Sequence, residues 1–411
     1  MGLFLPFQKQ EFMPNISSIG QAMPSSPIRK MMPFANAAKA AGNRVIHLNI
    51  GQPDIATPEV ALSELRNDNR TVVEYSPSEG YASYRDGLSS YYKGAGINVE
   101  ADEIIVTTGG SEALVFGFMS CMDPGDEVII PEPFYANYRG FAQMAGVKIV
   151  PVTAVIDDGF ELPPVREFEK KITSKTKAIL ICNPGNPTGK VYSPESLEKL
   201  ASIVKDNDLY LFSDEVYREF CYDGAVAKSV LQLDGIENNV VLIDSVSKRY
   251  SMCGARVGAL ITKNKELKDT VMKFAMTRLS PPTFGQIASE AALRASEEYF
   301  SDVRDRYVKR RDVLVEGLNA IPGVTCPKPG GAFYAVCKLP IDSSDAFCQW
   351  ILEHFSHEGD TVMMAPASGF YATEGAGSDE VRIAYVLDLP LLEKAVKCLE
   401  LALEQYPGRT I

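Results

Sequence analysis

Lys248 stands in the segment SVSKRYSMCGARVG, three residues after Ser245, one after Ser247 and eight before Arg256. An amine, two serines and an arginine in so short a span place a nucleophile beside phosphate ligands. A lysine amine loses its proton readily when partly desolvated or set near other positive charge. Arginine cannot do that, but its planar fork grips a phosphate at two points. The chemistry that needs such a set is a Schiff base to a phosphate-bearing aldehyde, which for a protein means pyridoxal phosphate. Taken alone, the segment fits an ordinary basic loop with capping serines equally well, so the rest of the chain must decide.

Further segments follow predicted strands, where open parallel sheets bind ligands. After EIIVTT comes GGSEALVFGFM, in which Gly109 and Gly110 turn into a helix and leave the N–H groups of Gly110, Ser111 and Glu112 free for an anion. A plain Gly-Gly turn capped by Ser111 explains that segment as well. After AILIC comes NPGNPTG, whose two Asn-Pro steps fix a loop and whose Asn186 can donate to a phenolate oxygen. After LYLF comes SDEVY. Asp214 at the strand end suits a pyridine nitrogen, which a facing carboxylate keeps protonated, and Tyr217 suits the ring oxygen. Asp214 also reads as a helix N-cap. EPFYANY offers Tyr135 as a ring to stack on a cofactor, or as a core aromatic.

Short β-type runs alternate with helical stretches from about residue 45 onward: VIHLNI, EIIVTT, EVIIP, KIVPV, AILIC, LYLF, VVLI and GALIT. That alternation predicts βαβ units and a largely parallel sheet. PIRKMMPFANAAKAAG predicts a helix stopped by Gly42, and residues 1–30 an arm lying on another surface. GQIASEAALRASEEYFSDVRDRYVKRRDVLVEGLNA predicts one long helix leading into a smaller α+β portion.

The 411 residues suggest two or three domains at roughly 150 residues each. A net charge of −12 argues against a nucleic-acid partner, while leaving small anions to be held by local arginines. Eight cysteines without CxxC pairs read as buried, reduced thiols. No apolar run is long enough to span a bilayer and the start carries no secretory signal, so a cytoplasmic protein is expected. With three histidines, Ser-His-Asp hydrolysis has little material. His354 and His357 lie three apart on a predicted helix, but without a third ligand no metal is expected.

In combination, NPGNPTG, SDEVY, SVSKRYSMCGARVG and VRIAY resemble the class I/II aminotransferases of pyridoxal-phosphate fold type I, related to the aspartate aminotransferases. The resemblance spans roughly 40–400. It implies an α/β fold in which a mostly parallel seven-stranded sheet lies between helices, with a smaller α+β domain. On that reading 53–294 form the cofactor domain, 1–52 an arm and part of the small domain, and 295–411 the remainder. It makes Lys248 the Schiff-base lysine and proton shuttle, Asp214 the ring-nitrogen carboxylate, and Tyr217 and Asn186 the ring-oxygen pair. Ser245, Arg256 and the Gly110–Ser111 turn match the phosphate cup, and Tyr135 the stacking aromatic. Tyr75 in YSPSEGYASYRDGL matches the tyrosine that reaches a neighbouring subunit's phosphate, which implies a homodimer with shared sites. Gly51 in NIGQPD matches the substrate-contacting glycine and Arg382 the clamp on the substrate α-carboxylate. The implied substrates are an amino acid and a 2-oxo acid, with aspartate or glutamate first and aromatic or small neutral amino acids next. Carbon–sulfur lyases, synthases and regulatory proteins share the same body. A dicarboxylate needs a second cation, for which Arg278 is the candidate, with a structural ion pair as its other reading.

Overall fold

The computed structural model of the chain describes residues 14–411. Residues 1–13, part of the expected arm, lie outside the described residues. Among the described residues twelve strands occur in order: β1 (Arg44–His47), β2 (Ile104–Thr107), β3 (Glu127–Glu132), β4 (Lys148–Thr153), β5 (Thr176–Cys182), β6 (Tyr210–Asp214), β7 (Val240–Ser245), β8 (Gly258–Ile261), β9 (Tyr334–Lys338), β10 (Asp360–Met363), β11 (Ala365–Pro366) and β12 (Glu380–Ala384). Seven of them form one sheet in the order β2-β8-β7-β6-β5-β3-β4, as the resemblance implies.

The sheet's near-continuous apolar runs are what burial on both faces requires. Successive side chains point to opposite faces. Val240 and Leu242 of β7 join Ile179 and Ile181 of β5 in one core, while Val241 and Ile243 join Ala178 and Leu180 in another. A third core surrounds the small sheet β11-β12-β9 and includes Val45 and Ile46 of β1. β1 pairs in parallel with β10, so the N-terminal segment packs with the C-terminal part of the chain.

One strand breaks the parallel pattern and shapes the site. β8 runs antiparallel to both β2 and β7, and its first residue, Gly258, lies opposite Thr107 and Ser245. The start of β8 therefore meets the ends of β2 and β7 at one edge. A Cβ on Gly258 would stand 2.5 Å from the Gly109 carbonyl carbon and 2.6 Å from both the Asp244 oxygen and the Gly110 nitrogen. Backbone surrounds this position, so only glycine fits.

Two helical expectations are refined and a third holds. The long helix predicted over roughly 285–320 is two, Thr283–Ala292 and Glu297–Asn319, because Ser296 caps the second through the Tyr299 N–H with Glu297 and Glu298 in its first turn. His354 ends the helix Ser344–His354, whereas His357 lies beyond it in a bridge with Asp360. The helix Met32–Ala40 ends just before Gly42, whose φ is +94°. All eight cysteines are free thiols, with Cys121, Cys221 and Cys253 half-buried and not fully enclosed as expected.

Candidate active site

The ends of β2, β5, β6 and β7 open onto a cavity of about 680 Å³. Its lining includes Gly51, Gly110, Ser111, Tyr135, Asn186, Asp214, Tyr217, Ser245, Lys248, Arg256 and Arg382, drawn from segments across the whole chain. Most of the residues singled out from sequence thus converge on one space.

β7 delivers Lys248. After Ser245 the chain makes one helical turn, Val246–Arg249, with the Ser245 hydroxyl accepting from the Ser247 N–H at 3.1 Å. Beneath it, Asp244 is buried against Arg249 at 2.6 Å and Tyr92 Oη at 2.9 Å. Burial alone would raise that carboxyl, but Arg249 and Arg218 outweigh it and hold Asp244 below the usual range. This charged floor fixes the turn, and Lys248 Nζ donates to the Gly51 carbonyl at 2.9 Å. A Cβ on Gly51 would overlap the Tyr334 hydroxyl at 1.8 Å, so the backbone must be bare there.

At one end of the cavity, hydroxyls and N–H groups gather. Ser245 Oγ lies 2.8 Å from Ser247 Oγ, and the helix Gly109–Cys121 aims its N-terminus at the same edge. Arg256, at φ +55°, is held by the carbonyls of Cys253 (3.0 Å) and Thr108 (3.5 Å), with no carboxylate partner among the described residues. A helix start with an uncommitted guanidinium is an anion cradle. The Glu112 side chain plays no part in it, which leaves only its backbone N–H to the expected cradle. Its carboxylate turns back to accept from the Thr108 N–H at 2.8 Å and pairs with Arg278 at 3.1 Å, off the cavity wall.

At the floor, Asp214 ends β6 and accepts from Tyr138 Oη at 2.7 Å and from the Val216 N–H at 3.4 Å. No helix starts there, so the capping role open to it from sequence is not the one it takes. Burial pushes its carboxyl up to about 6, and among the described residues no cation pairs with it. Tyr217 Oη lies 3.1 Å from Tyr334 Oη and 3.5 Å from Asn186 Nδ2. Asn186 in turn accepts from Arg382 Nη1 at 3.3 Å. Tyr135 lines the wall, its hydroxyl accepting from Asn137 at 2.8 Å.

Arg382, on β12, is 1% exposed. Its guanidinium lies 4.6 Å over the Tyr334 ring and 4.9 Å over the Phe370 ring, and one arm donates to the Asn49 carbonyl. Its Nε has no partner and no carboxylate approaches it among the described residues. Burial lowers its pKa, against the opposing pull of the Tyr334, Tyr217 and Tyr135 hydroxyls.

Two sequence candidates fall elsewhere. Tyr75 is 78% exposed and outside the cavity. Arg278 is committed to Glu112 and to the carbonyls of Ser78 (2.9 Å) and Val106 (3.3 Å), a structural ion pair. Sequence reasoning missed Tyr138 and Asn49, which sit inside the quoted segments EPFYANY and NIGQPD but were not singled out, and also Tyr334 and the cavity-lining Arg29. Among the described residues no helix is long and apolar enough to cross a membrane.

A family model described as Aminotransferase class I and II matches residues 43–399. An aspartate aminotransferase of Bacillus subtilis (strain 168) is 32% identical over 382 residues, 90% of this chain and 94% of that protein. Aromatic-amino-acid aminotransferase 2 of Thermococcus litoralis is 31% identical over 389 residues, 92% of this chain and 96% of that protein. The solved structure of an aspartate aminotransferase from Thermus thermophilus with maleate is similar at a TM-score of 0.86 and 30% identity, covering 95% of this chain and 100% of that one.

Proposed function

The chain belongs to the aminotransferase class I and II family and is a pyridoxal-phosphate-dependent enzyme, and on that premise we propose that it moves the amino group of aspartate or glutamate to a 2-oxo acid by a ping-pong route. The residues present fit the cofactor. Arg256, Ser245 and the Gly110–Ser111 turn offer a cradle for its phosphate, with no protein carboxylate competing for Arg256. Asp214, buried and without a cationic partner among the described residues, suits a protonated ring nitrogen. Tyr217 and Asn186 suit the ring oxygen, and Tyr135 a ring face. When bound, pyridoxal phosphate supplies an aldehyde that takes up the amino group and a ring that accepts electrons from the α-carbon.

The observation that carries this reading is Arg382, a buried guanidinium without a carboxylate, on the wall that also holds Lys248 and Asp214. Its free N–H groups bind the substrate's α-carboxylate and orient the α-carbon toward Lys248. Lys248 Nζ, released from the Gly51 carbonyl, takes the α-proton and redelivers it. The Asn49 carbonyl and Asn186 hold Arg382 still while it does so.

An aromatic amino acid is the second reading, favoured by the Tyr135 and Tyr334 rings in the lining. Loaded enzyme mixed with single amino acids in the absence of a 2-oxo acid separates the two. Aspartate or glutamate should bleach the cofactor's visible band fastest, and 2-oxoglutarate or oxaloacetate should restore it. A faster response to phenylalanine or tyrosine would overturn the acidic reading. A band that no amino acid exchanges would point instead to a lyase, a synthase or a non-catalytic body.

The same reading includes a cytoplasmic homodimer with Tyr75 reaching the other subunit's phosphate. Free thiols throughout and an exposed Tyr75 support it. It also divides the chain into a cofactor domain over 53–294 and a smaller domain over 1–52 and 295–411, which the pairing of β1 with β10 supports.

A further inference from the structure

The charged side chains lining the cavity are Arg29, Asp214, Lys248, Arg256 and Arg382. Four of these have work in the reading above: Asp214, Lys248 and Arg256 toward the cofactor, Arg382 toward the α-carboxylate. Arg29 has none. It is exposed where it lines the cavity and has no carboxylate partner among the described residues.

Its backbone, by contrast, is built in. The turn that carries it is closed by the Arg29 N–H on the Ser26 carbonyl at 3.1 Å, and leads into the helix Met32–Ala40. Asn49 Nδ2 donates to the Ile28 carbonyl at 3.1 Å. Lys30 pairs with Asp345, and Met31 is buried. Ile28 packs on Ala136, Ala365 and Phe370, and Phe370 is one of the two rings under Arg382. Asn49 therefore holds the Arg29 turn with its side chain and Arg382 with its carbonyl. The backbone turn of Arg29 and the guanidinium of Arg382 are thus anchored by one residue and one ring, and both residues line the cavity. Lys30, the adjacent cation, is already neutralised, whereas Arg29 is left free to meet an anion.

We propose that Arg29 is a specificity-determining residue that receives the distal carboxylate of a dicarboxylic amino acid while Arg382 receives the α-carboxylate. The assignment rests on the acidic-substrate reading and takes over the role that Arg278, tied to Glu112, does not fill. A charge-assisted pair to a carboxylate adds affinity for aspartate that a neutral amino acid cannot collect. The segment also comes from the chain's N-terminal part, so the residue that chooses the substrate is independent of the motifs that hold the cofactor.

The test uses the loaded enzyme and two variants, Arg29→Gln and Arg29→Lys. Maleate binding is titrated beside binding of 3-phenylpropionate, and kcat/KM is measured for L-aspartate and L-alanine. Arg29→Gln should weaken maleate relative to 3-phenylpropionate on the order of 30-fold. It should lower the aspartate-to-alanine ratio of kcat/KM by a similar factor, through KM more than kcat, and Arg29→Lys should fall between. If the unaltered enzyme prefers aspartate and Arg29→Gln leaves maleate binding and that ratio unchanged, the proposal is overturned while the acidic reading stands. Equal loss for aspartate and alanine would overturn it too, since that marks a structural role. If the unaltered enzyme prefers alanine or an aromatic substrate, the acidic reading fails before any variant is made, and Arg29 loses its role with it.

Discussion

Asp214 shows how a single residue trades stability for chemistry. Its folded-state carboxyl is raised by burial from 3.8 to about 6, so the fold favours the protonated form. Its contribution is therefore fully favourable below about pH 4 and is lost as pH rises through about 6, a span worth about 3 kcal/mol. On the proposed reading, a protonated ring nitrogen of the bound cofactor would offset that cost. In the cofactor-free protein, Asp214→Asn should consequently be the more stable form at pH 7, by up to about 3 kcal/mol in chemical denaturation. The advantage should vanish as pH falls toward 4. The same variant should lose amino transfer on the order of 10³-fold. A variant less stable than the parent at pH 7, or equally active, would contradict the assigned role. Arg382 stands in the same position with the opposite charge, a buried cation whose pKa burial lowers.

At the scale of elements, the site depends on three strand ends meeting at Gly258. Gly258→Ala would drive a methyl group into backbone of the Gly109–Gly110 turn and of β7. The expected cost is about 3 kcal/mol, read as a lowered melting temperature, together with weaker cofactor binding because the phosphate cradle is pried open. Unchanged melting and unchanged binding would show that these ends are not tightly joined. Sequence made much of this legible. The motifs GGSEAL, NPGNPTG, SDEVY and SVSK each follow a strand run, so period and turn chemistry place them at one sheet edge. The direction of β8 was not legible, because GALIT reads alike in a parallel or an antiparallel pair. Neither was the break at Ser296, where no glycine or proline interrupts the helical pattern. Side-chain direction is also silent in sequence: Glu112 sits in the right motif yet swings to Arg278. Tyr334 and Arg29 arrive from distant segments with no motif around them, and only the folded chain brings them to the cavity.

For the whole molecule, the exposed Tyr75 and its apolar neighbours Val72, Val73 and Phe284 fit a face covered by a second copy. Sedimentation should give twice the chain mass, and Tyr75→Phe should raise the cofactor dissociation constant roughly tenfold without dissociating the dimer. A monomer with full activity would remove the shared site. The account as a whole turns on one amine being placed by β7, bared by Gly51 and faced by Arg382. The measurement that tests it most directly is single-turnover amino transfer by Lys248→Ala, with cofactor content read on the same sample. The account predicts a protein that still takes up pyridoxal phosphate through the Ser245, Arg256 and Gly110–Ser111 cradle but passes no amino group from aspartate at a measurable rate. Retained transfer near the parent rate would contradict it.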